Sequence, residues 1–61
     1  MEINRLITAL ERNGHSCERD RDGRAVAWVE ARGGLVLKVD GKPMFPRQAE
    51  RLLPWADRYP N

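Results

Sequence analysis

One cluster of side chains in this sequence could perform nucleophilic chemistry, at His15-Ser16-Cys17. In an extended segment, alternate side chains share a face, so His15 and Cys17 would be neighbours. A Cys/His pair can act as nucleophile and base when its surroundings stabilise the thiolate. The sequence shows no third orienting residue and no oxyanion loop, and a cysteine in such a position is usually a small buried hydrophobe. We therefore predict no catalytic residue, and a protein that is not an enzyme.

Other reactive residue types are too few or wrongly spaced to hold a metal or a cofactor. One histidine and one cysteine cannot supply the four ligands of a structural zinc site, and a single cysteine rules out an internal disulfide. Gly33-Gly34 lacks the lysine and the strand–loop–helix context of a phosphate-binding loop. No two carboxylates have a spacing that indicates shared function. We predict neither a metal site nor a cofactor.

The length of the chain, 61 residues, indicates a single compact domain over residues 1–61. A domain of this size buries only about 60% of the surface that its unfolded chain exposes. It is therefore marginally stable unless a disulfide, a metal or oligomerisation supports it. With the first two predicted to be absent, we expect a homodimer, or docking on a larger protein.

The charged residues do not favour a dedicated nucleic-acid binder. The net charge is +2, from 11 basic and 9 acidic residues, and the signs alternate between Glu18 and Arg24. Nucleic-acid binders usually collect their basic side chains on one face. A lone cysteine fits a reducing compartment. We expect no signal peptide and no membrane span, and hence a cytoplasmic protein without a membrane partner.

Two segments have the spacing of amphipathic helices. The first, about residues 2 to 13, has apolar residues at Ile3, Leu6, Ile7 and Leu10 and ends at Asn13-Gly14. The second runs from about Pro46 to Leu53, since proline suits a first helical turn and Pro54 disfavours helical geometry in the residue before it. Its apolar positions are Ala49, Leu52, Leu53 and Ala56. A separate turn should follow from Pro54 to Arg58.

The segment from Arg24 to Val39 predicts a β-hairpin that turns at Gly33-Gly34 through positive φ angles. This turn would pair Ala31 with Val36 and Val29 with Lys38. One face of the hairpin would then hold Val26, Trp28, Leu35, Leu37 and Val39. The other would hold Ala25, Ala27, Val29, Ala31 and Val36. In this arrangement Trp28 is most simply a core residue.

Two further turns are expected, at Asp20–Gly23 and at Asp40–Pro43, where the proline would end the strand. His15 to Arg19 is predicted to form a short strand. The resulting element order is α-β-β-(β)-α. It indicates an α+β fold in which an antiparallel sheet carries two short helices on one face.

The second apolar face of the hairpin is more than two short helices can cover, which indicates a surface for a partner. We expect a non-enzymatic protein-binding module that docks sterically on a larger protein. Accessory or inhibitory factors of this size are encoded by phages and mobile elements, among others. Because tryptophan, tyrosine and arginine are enriched in binding hot spots, the candidate partner-binding residues combine the hairpin face with the C-terminal segment. They are Val29, Ala31, Val36, Arg47, Arg51, Trp55, Arg58 and Tyr59.

Two alternatives remain open at this point. The protein could instead be a small nucleic-acid-binding regulator that uses its surface arginines. These would be Arg5, Arg12, Arg47, Arg51 and Arg58. Trp55 and Tyr59 could equally close the base of a small core rather than contact a partner.

Overall fold

A computed structural model describes residues 2–29 and 34–58 of the chain. The elements are α1 (Ile3–Arg12), β1 (Trp28–Val29), β2 (Leu35–Val39), β3 (Lys42–Met44), α2 (Pro46–Glu50) and α3 (Trp55–Arg58). The strands form an antiparallel sheet in the order β1-β2-β3. The predicted α+β fold and its element order are confirmed.

Helix α1 lies where its apolar spacing predicts it. The carboxylate of Glu2 accepts hydrogen bonds from the backbone N–H groups of Asn4 and Arg5, which caps the N-terminus. At the other end Asn13 is the C-cap, and Gly14 adopts a φ of 89°. The helix ends there because glycine takes this left-handed conformation without a steric cost.

The core lies between the helices and one face of the sheet. Its members are Leu6, Ile7 and Leu10 of α1, Leu37 and Val39 of β2, and Ala49 and Leu53 of the second helical segment. Leu37 and Val39 are two residues apart on one strand, so they point to the same side of the sheet. Helices α1 and α2 therefore pack on this side, the helix-covered face. The opposite side is the outer face.

The register between β1 and β2 differs from the predicted one. Trp28 pairs with Val36 and Val29 with Leu35, so the partner of Val29 lies three residues from the predicted Lys38. A shift by an odd number of residues exchanges the two faces of a strand. Trp28 consequently shares the outer face with Val36, and the prediction that it is a core residue beside Leu37 is wrong: it is 38% exposed.

The exchange also moves the residues that were predicted to form a second apolar face. Ala25 and Ala27 pack against the core, on the helix-covered face. Ala25 and Ala27 still lie on the side of the sheet opposite to Trp28, as predicted. Each group, however, faces the side of the sheet that was predicted for the other. Two parts of the prediction lie outside the described residues. They are the pairing of Ala31 with Val36 and the first glycine of the turn, Gly33.

A tight primed turn of this sheet is at Asp40-Gly41. The two-residue turn predicted at Gly33-Gly34 is wrong, because Val29 pairs with Leu35 and five residues lie between them. Asp40 and Gly41 have φ angles of 54° and 79°, and Val39 pairs directly with Lys42, as in a type I′ hairpin. Pro43 does not end the strand as predicted. It lies within β3, which is an edge strand of the described sheet, where a missing N–H is tolerated.

The segment before β1 is held by isolated pairings. In the predicted strand, Cys17 pairs with Val39 and Arg19 with Ala25, each as a single bridge. The turn at Asp20–Gly23 is confirmed: Asp20 Oδ1 accepts from the N–H groups of Asp22 and Arg24, and Gly23 has a φ of 81°. This turn leads the chain back to the sheet.

Helix α2 ends at Glu50, before the predicted Leu53. The next three residues each donate a backbone N–H to the carbonyl three positions earlier, in a tighter turn. Pro54 accounts for the stop because it disfavours helical geometry at Leu53. The separate turn predicted from Pro54 to Arg58 is the short helix α3. Of the predicted apolar stripe, Ala49 and Leu53 are buried, while Leu52 is 41% exposed.

Candidate interaction surfaces

The cluster at residues 15–17 is attached to the turn between β2 and β3. His15 Nδ1 lies 2.8 Å from Asp40 Oδ2, and the N–H of Ser16 donates to Asp40 Oδ1 at 2.8 Å. The N–H of Asp40 in turn donates to the carbonyl of Ser16 at 2.7 Å. The hydrogen bond from Ser16, followed by that of His15, holds the pKa of Asp40 below its ordinary value. Asp40 thus orients His15, a pairing that the sequence does not signal because the two residues are 25 positions apart.

The surroundings of Cys17 disfavour a thiolate. The side chain is half-buried and packs against the core. Burial raises the pKa of the thiol, and the negative charges of Glu11 and Asp40 add to this effect. A nucleophilic cysteine requires the opposite shift. The arrangement therefore favours a protonated side chain that fills space beside Val39.

The outer face carries two aromatic residues in one row across the strands. Trp28 is opposite Val36 on one side, and the β2–β3 register places Phe45 next to Val36 on the other, one position beyond the pair Leu37–Met44. Val36 is only 5% exposed although it lies opposite the core, whereas Trp28 and Phe45 are 38% and 42% exposed. We call these three residues the aromatic row. The row presents apolar surface where an open sheet face ordinarily presents polar side chains.

The aromatic row lies close to Gly34 and to Lys38. A Cβ atom on Gly34 would lie 2.7 Å from Cε1 of Phe45, so the ring occupies space that only glycine leaves open. Lys38 follows Val36 on the outer face, with its Nζ atom 5.6 Å from the centroid of the Trp28 ring. This is a cation–π distance.

One acidic residue lies beside that lysine. The N–H of Glu18 donates to the carbonyl of Lys38 at 3.3 Å. The neighbouring Cys17 packs against the core, so alternation places the side chain of Glu18 on the outer face. In the described part of the sheet, the outer face therefore combines an apolar centre with Lys38 and Glu18, which carry opposite charges.

A second exposed surface lies on the helical layer. We call it the α2–α3 corner and define it by Arg47, Arg51, Leu52 and Trp55. Leu53 anchors this segment in the core, while Leu52 is 41% and Trp55 74% exposed. The two arginines are exposed as well. Trp55 has the largest exposed fraction among the large hydrophobic residues that the structure describes.

Side-chain hydrogen bonds hold the α2–α3 corner in place. The guanidinium of Arg58 donates to the carbonyl of Leu53 at 2.9 Å and to that of Arg51 at 3.0 Å. Nδ2 of Asn13 donates to Asp57 Oδ2 at 3.0 Å, which joins α3 to the end of α1. Arg58, a predicted partner-binding residue, thus satisfies carbonyls at the end of the α2 segment.

The eight predicted partner-binding residues fall into separate places. Arg47, Arg51 and Trp55 are exposed residues of the segment that contains α2 and α3, and the half-buried Arg58 donates to the carbonyl of Arg51. Val36 belongs to the aromatic row, and Val29 pairs with Leu35. Ala31 and Tyr59 lie outside the described residues.

The sequence reasoning missed Trp28, Lys38 and Phe45 as members of a surface. The Asp40-Gly41 turn could have identified Phe45, because a two-residue turn fixes the β2–β3 register.

Comparisons with protein-family models, curated proteins and solved structures found no match for this chain. Among the described residues, no group of three or more His, Cys, Asp or Glu could hold a metal ion. No helix in the described parts of the chain is long and apolar enough to cross a membrane.

Proposed function

We propose that the protein is a non-enzymatic protein-binding module whose α2–α3 corner docks on a larger protein. The observation that carries this proposal is the 74% exposure of Trp55, on the same segment as a 41% exposed Leu52 and the exposed Arg47 and Arg51. Tryptophan and arginine are the residue types most enriched in binding hot spots. A corner of this composition suits contact with an apolar patch that has acidic side chains at its edge.

The energy available at this corner supports the proposal. An aromatic side chain buries about 150–250 Å² when fully covered, and apolar burial contributes roughly 25 cal/mol per Å². With 74% of its surface in water, Trp55 could contribute about 3–5 kcal/mol before the general costs of association.

The rigidity of the corner reduces one of those costs. Arg58 and Asn13 fix the segment around Trp55 through hydrogen bonds to Leu53, Arg51 and Asp57. A surface that is already ordered loses less conformational entropy on binding. The protein would act sterically in the cytoplasm, as a compact accessory or inhibitory factor that blocks or bridges its target.

One observation favours a second candidate function, nucleic-acid binding. Arg47 and Arg51 are exposed, four residues apart on one helical segment, and neither makes an ion pair with a described residue. Such a pair could contact two phosphates. Arg58 does not fit this role, because its guanidinium is already bonded to two carbonyls.

Site-specific photo-crosslinking in cells tests the protein-binding proposal. A photoreactive phenylalanine analogue at position 55 should yield one major protein adduct, identifiable by mass spectrometry. The same analogue at position 21, which is exposed in the Asp20–Gly23 turn, serves as the matched control and should not yield it. Equal adducts from both positions, or adducts that nuclease treatment removes, would contradict the proposal.

Binding to the purified target then tests the role of the side chain. Trp55→Ala should weaken the complex by about 30-fold, the loss expected of a hot-spot residue. Arg21→Ala should leave the affinity unchanged. A Trp55→Ala variant that binds as tightly as the wild-type protein would overturn the assignment of the corner.

A further inference from the structure

The outer face departs from the usual composition of a sheet side that faces water. Antiparallel sheets with one solvated face alternate apolar residues inward with polar residues outward. Here the outward positions next to one another across the strands are Trp28, Val36 and Phe45. Pro43 is also outward, opposite Lys38. The composition is that of a face which another surface covers.

The charges beside the aromatic row indicate which surface that is. Lys38 and Glu18 are adjacent and of opposite sign. In a two-fold dimer each patch meets an identical patch, so a stable interface must be complementary to itself. A face with an apolar centre, one cation and one anion meets this requirement, because the lysine of one copy can approach the glutamate of the other.

We propose that the outer face is an interface with a second copy of this chain, related by a two-fold axis. The interface includes Trp28, Val36, Phe45, Lys38 and Glu18. It is separate from the α2–α3 corner, which lies on the helical layer. A dimer formed in this way leaves both corners open to the larger target, so the two proposals stand or fall independently.

A dimer interface would cover a moderate share of the surface of this chain. A standard interface takes about 800 Å² from each partner, which is roughly a sixth of the 4708 Å² accessible surface of the chain. The dimer would also support a fold whose core cluster holds seven buried residues, since small domains gain stability from association.

The same observations disfavour a nucleic-acid strand on this face. Stacking of a base requires an open ring face, and the ammonium group of Lys38 lies over the ring of Trp28. The carboxylate of Glu18 would repel phosphates at the same place. A strand that neutralises phosphates needs a face of one charge sign, which this face lacks.

Sedimentation equilibrium of the whole chain tests the dimer. At high micromolar concentration the wild-type protein should show twice the 7.0 kDa mass of one chain. Trp28→Ala and Phe45→Ala should each weaken the dimer by about tenfold or more. Trp55→Ala, the matched tryptophan on the other surface, should not weaken it. A wild-type monomer, or a dimer that only Trp55→Ala disrupts, would overturn the proposal.

A charge-exchange experiment tests the same interface without changing its apolar residues. Glu18→Lys and Lys38→Glu both alter exposed side chains, so each variant should fold, as circular dichroism would verify. Each variant alone should be monomeric because positions 18 and 38 of one copy then meet like charges on the other. An equimolar mixture should form a heterodimer, since an all-basic face meets an all-acidic one. If the mixture stays monomeric, or if either single variant dimerises as well as the wild type, the proposed interface is wrong.

Discussion

The two faces of the sheet come from alternate residues of the same strands, yet they differ in how they are covered. On the helix-covered face Leu37 and Val39 are at most 1% exposed, whereas on the outer face Trp28 is 38% exposed. The alternation within a strand determines which residues belong together. Only the register between strands determines which group meets the helices. The register places Ala25 and Ala27, which precede β1, against the core and Trp28 on the outer face.

The largest difference between the faces should appear when neighbouring β2 residues are truncated. Leu37→Ala removes a core side chain and should cost about 2–5 kcal/mol of unfolding free energy. Val36→Ala removes two methyl groups from the outer face and should cost about 1.6 kcal/mol. Urea denaturation at low micromolar concentration measures both losses. A larger loss for Val36→Ala would contradict the assignment of the faces.

The two glycines that flank β2 should respond differently to the same substitution. Gly41→Ala places a side chain at a φ of 79° and should cost about 1–2 kcal/mol of unfolding free energy. Gly34→Ala would place a Cβ atom 2.7 Å from Cε1 of Phe45 and should mainly displace that ring, at a cost below about 1 kcal/mol. Thermal or urea unfolding of the two variants measures both losses of unfolding free energy. The reverse order of effects would place the strained turn at Gly34.

Acid should weaken the attachment of residues 15–17 to the β2–β3 turn. Hydrogen bonds from Ser16 and His15 lower the pKa of Asp40, and the guanidinium of Arg19 lowers that of Glu11. A lowered folded-state pKa stabilises the fold above the ordinary value, near pH 4, and this contribution disappears as the pH falls further.

The urea midpoint of the wild-type protein should therefore fall on acidification below about pH 4. Asp40→Asn removes one of the two titrating groups, so the variant should show a shallower fall. Arg21→Ala, a change of an exposed residue in the Asp20–Gly23 turn, is the control and should keep the wild-type slope. An Asp40→Asn variant with the full wild-type slope would contradict the role of Asp40.

The smallest effect is expected with nucleic acid. The arginines of the α2–α3 corner and of α1 are interleaved with Glu11, Glu50 and Asp57, so we expect non-specific association of about 10⁻⁴ M or weaker at physiological salt. Tryptophan fluorescence during titration with a duplex measures it. A nanomolar complex that Arg51→Ala weakens, with a logarithmic salt slope of about −0.9 per phosphate contacted, would favour the second candidate function.

The parts of the fold that local chemistry determines could be predicted from the sequence. The spacing of Leu6, Ile7 and Leu10 located α1, and Asp20 with Gly23 located a turn. The position of α3 followed from Pro54. Each of these signals lies within a few residues of the structure it produces.

The register between β1 and β2 could not be predicted in the same way. Two adjacent glycines permit several turns, whereas Asp40-Gly41 specifies one. The prediction assigned the tight turn to the more permissive pair and so exchanged the two faces of β1. The contact between His15 and Asp40 depends on the same long-range arrangement, since Cys17 must first pair with Val39.

If Trp28 lies in a dimer interface and Trp55 on a separate surface, fluorine NMR of the fluorotryptophan-labelled protein distinguishes the two in one sample. Trp55→Phe assigns the two resonances. As the concentration of the labelled protein alone rises into the high micromolar range, we expect the Trp28 resonance to shift while the Trp55 resonance stays constant. A Trp28 resonance that does not change, or a shift confined to Trp55, would contradict this expectation.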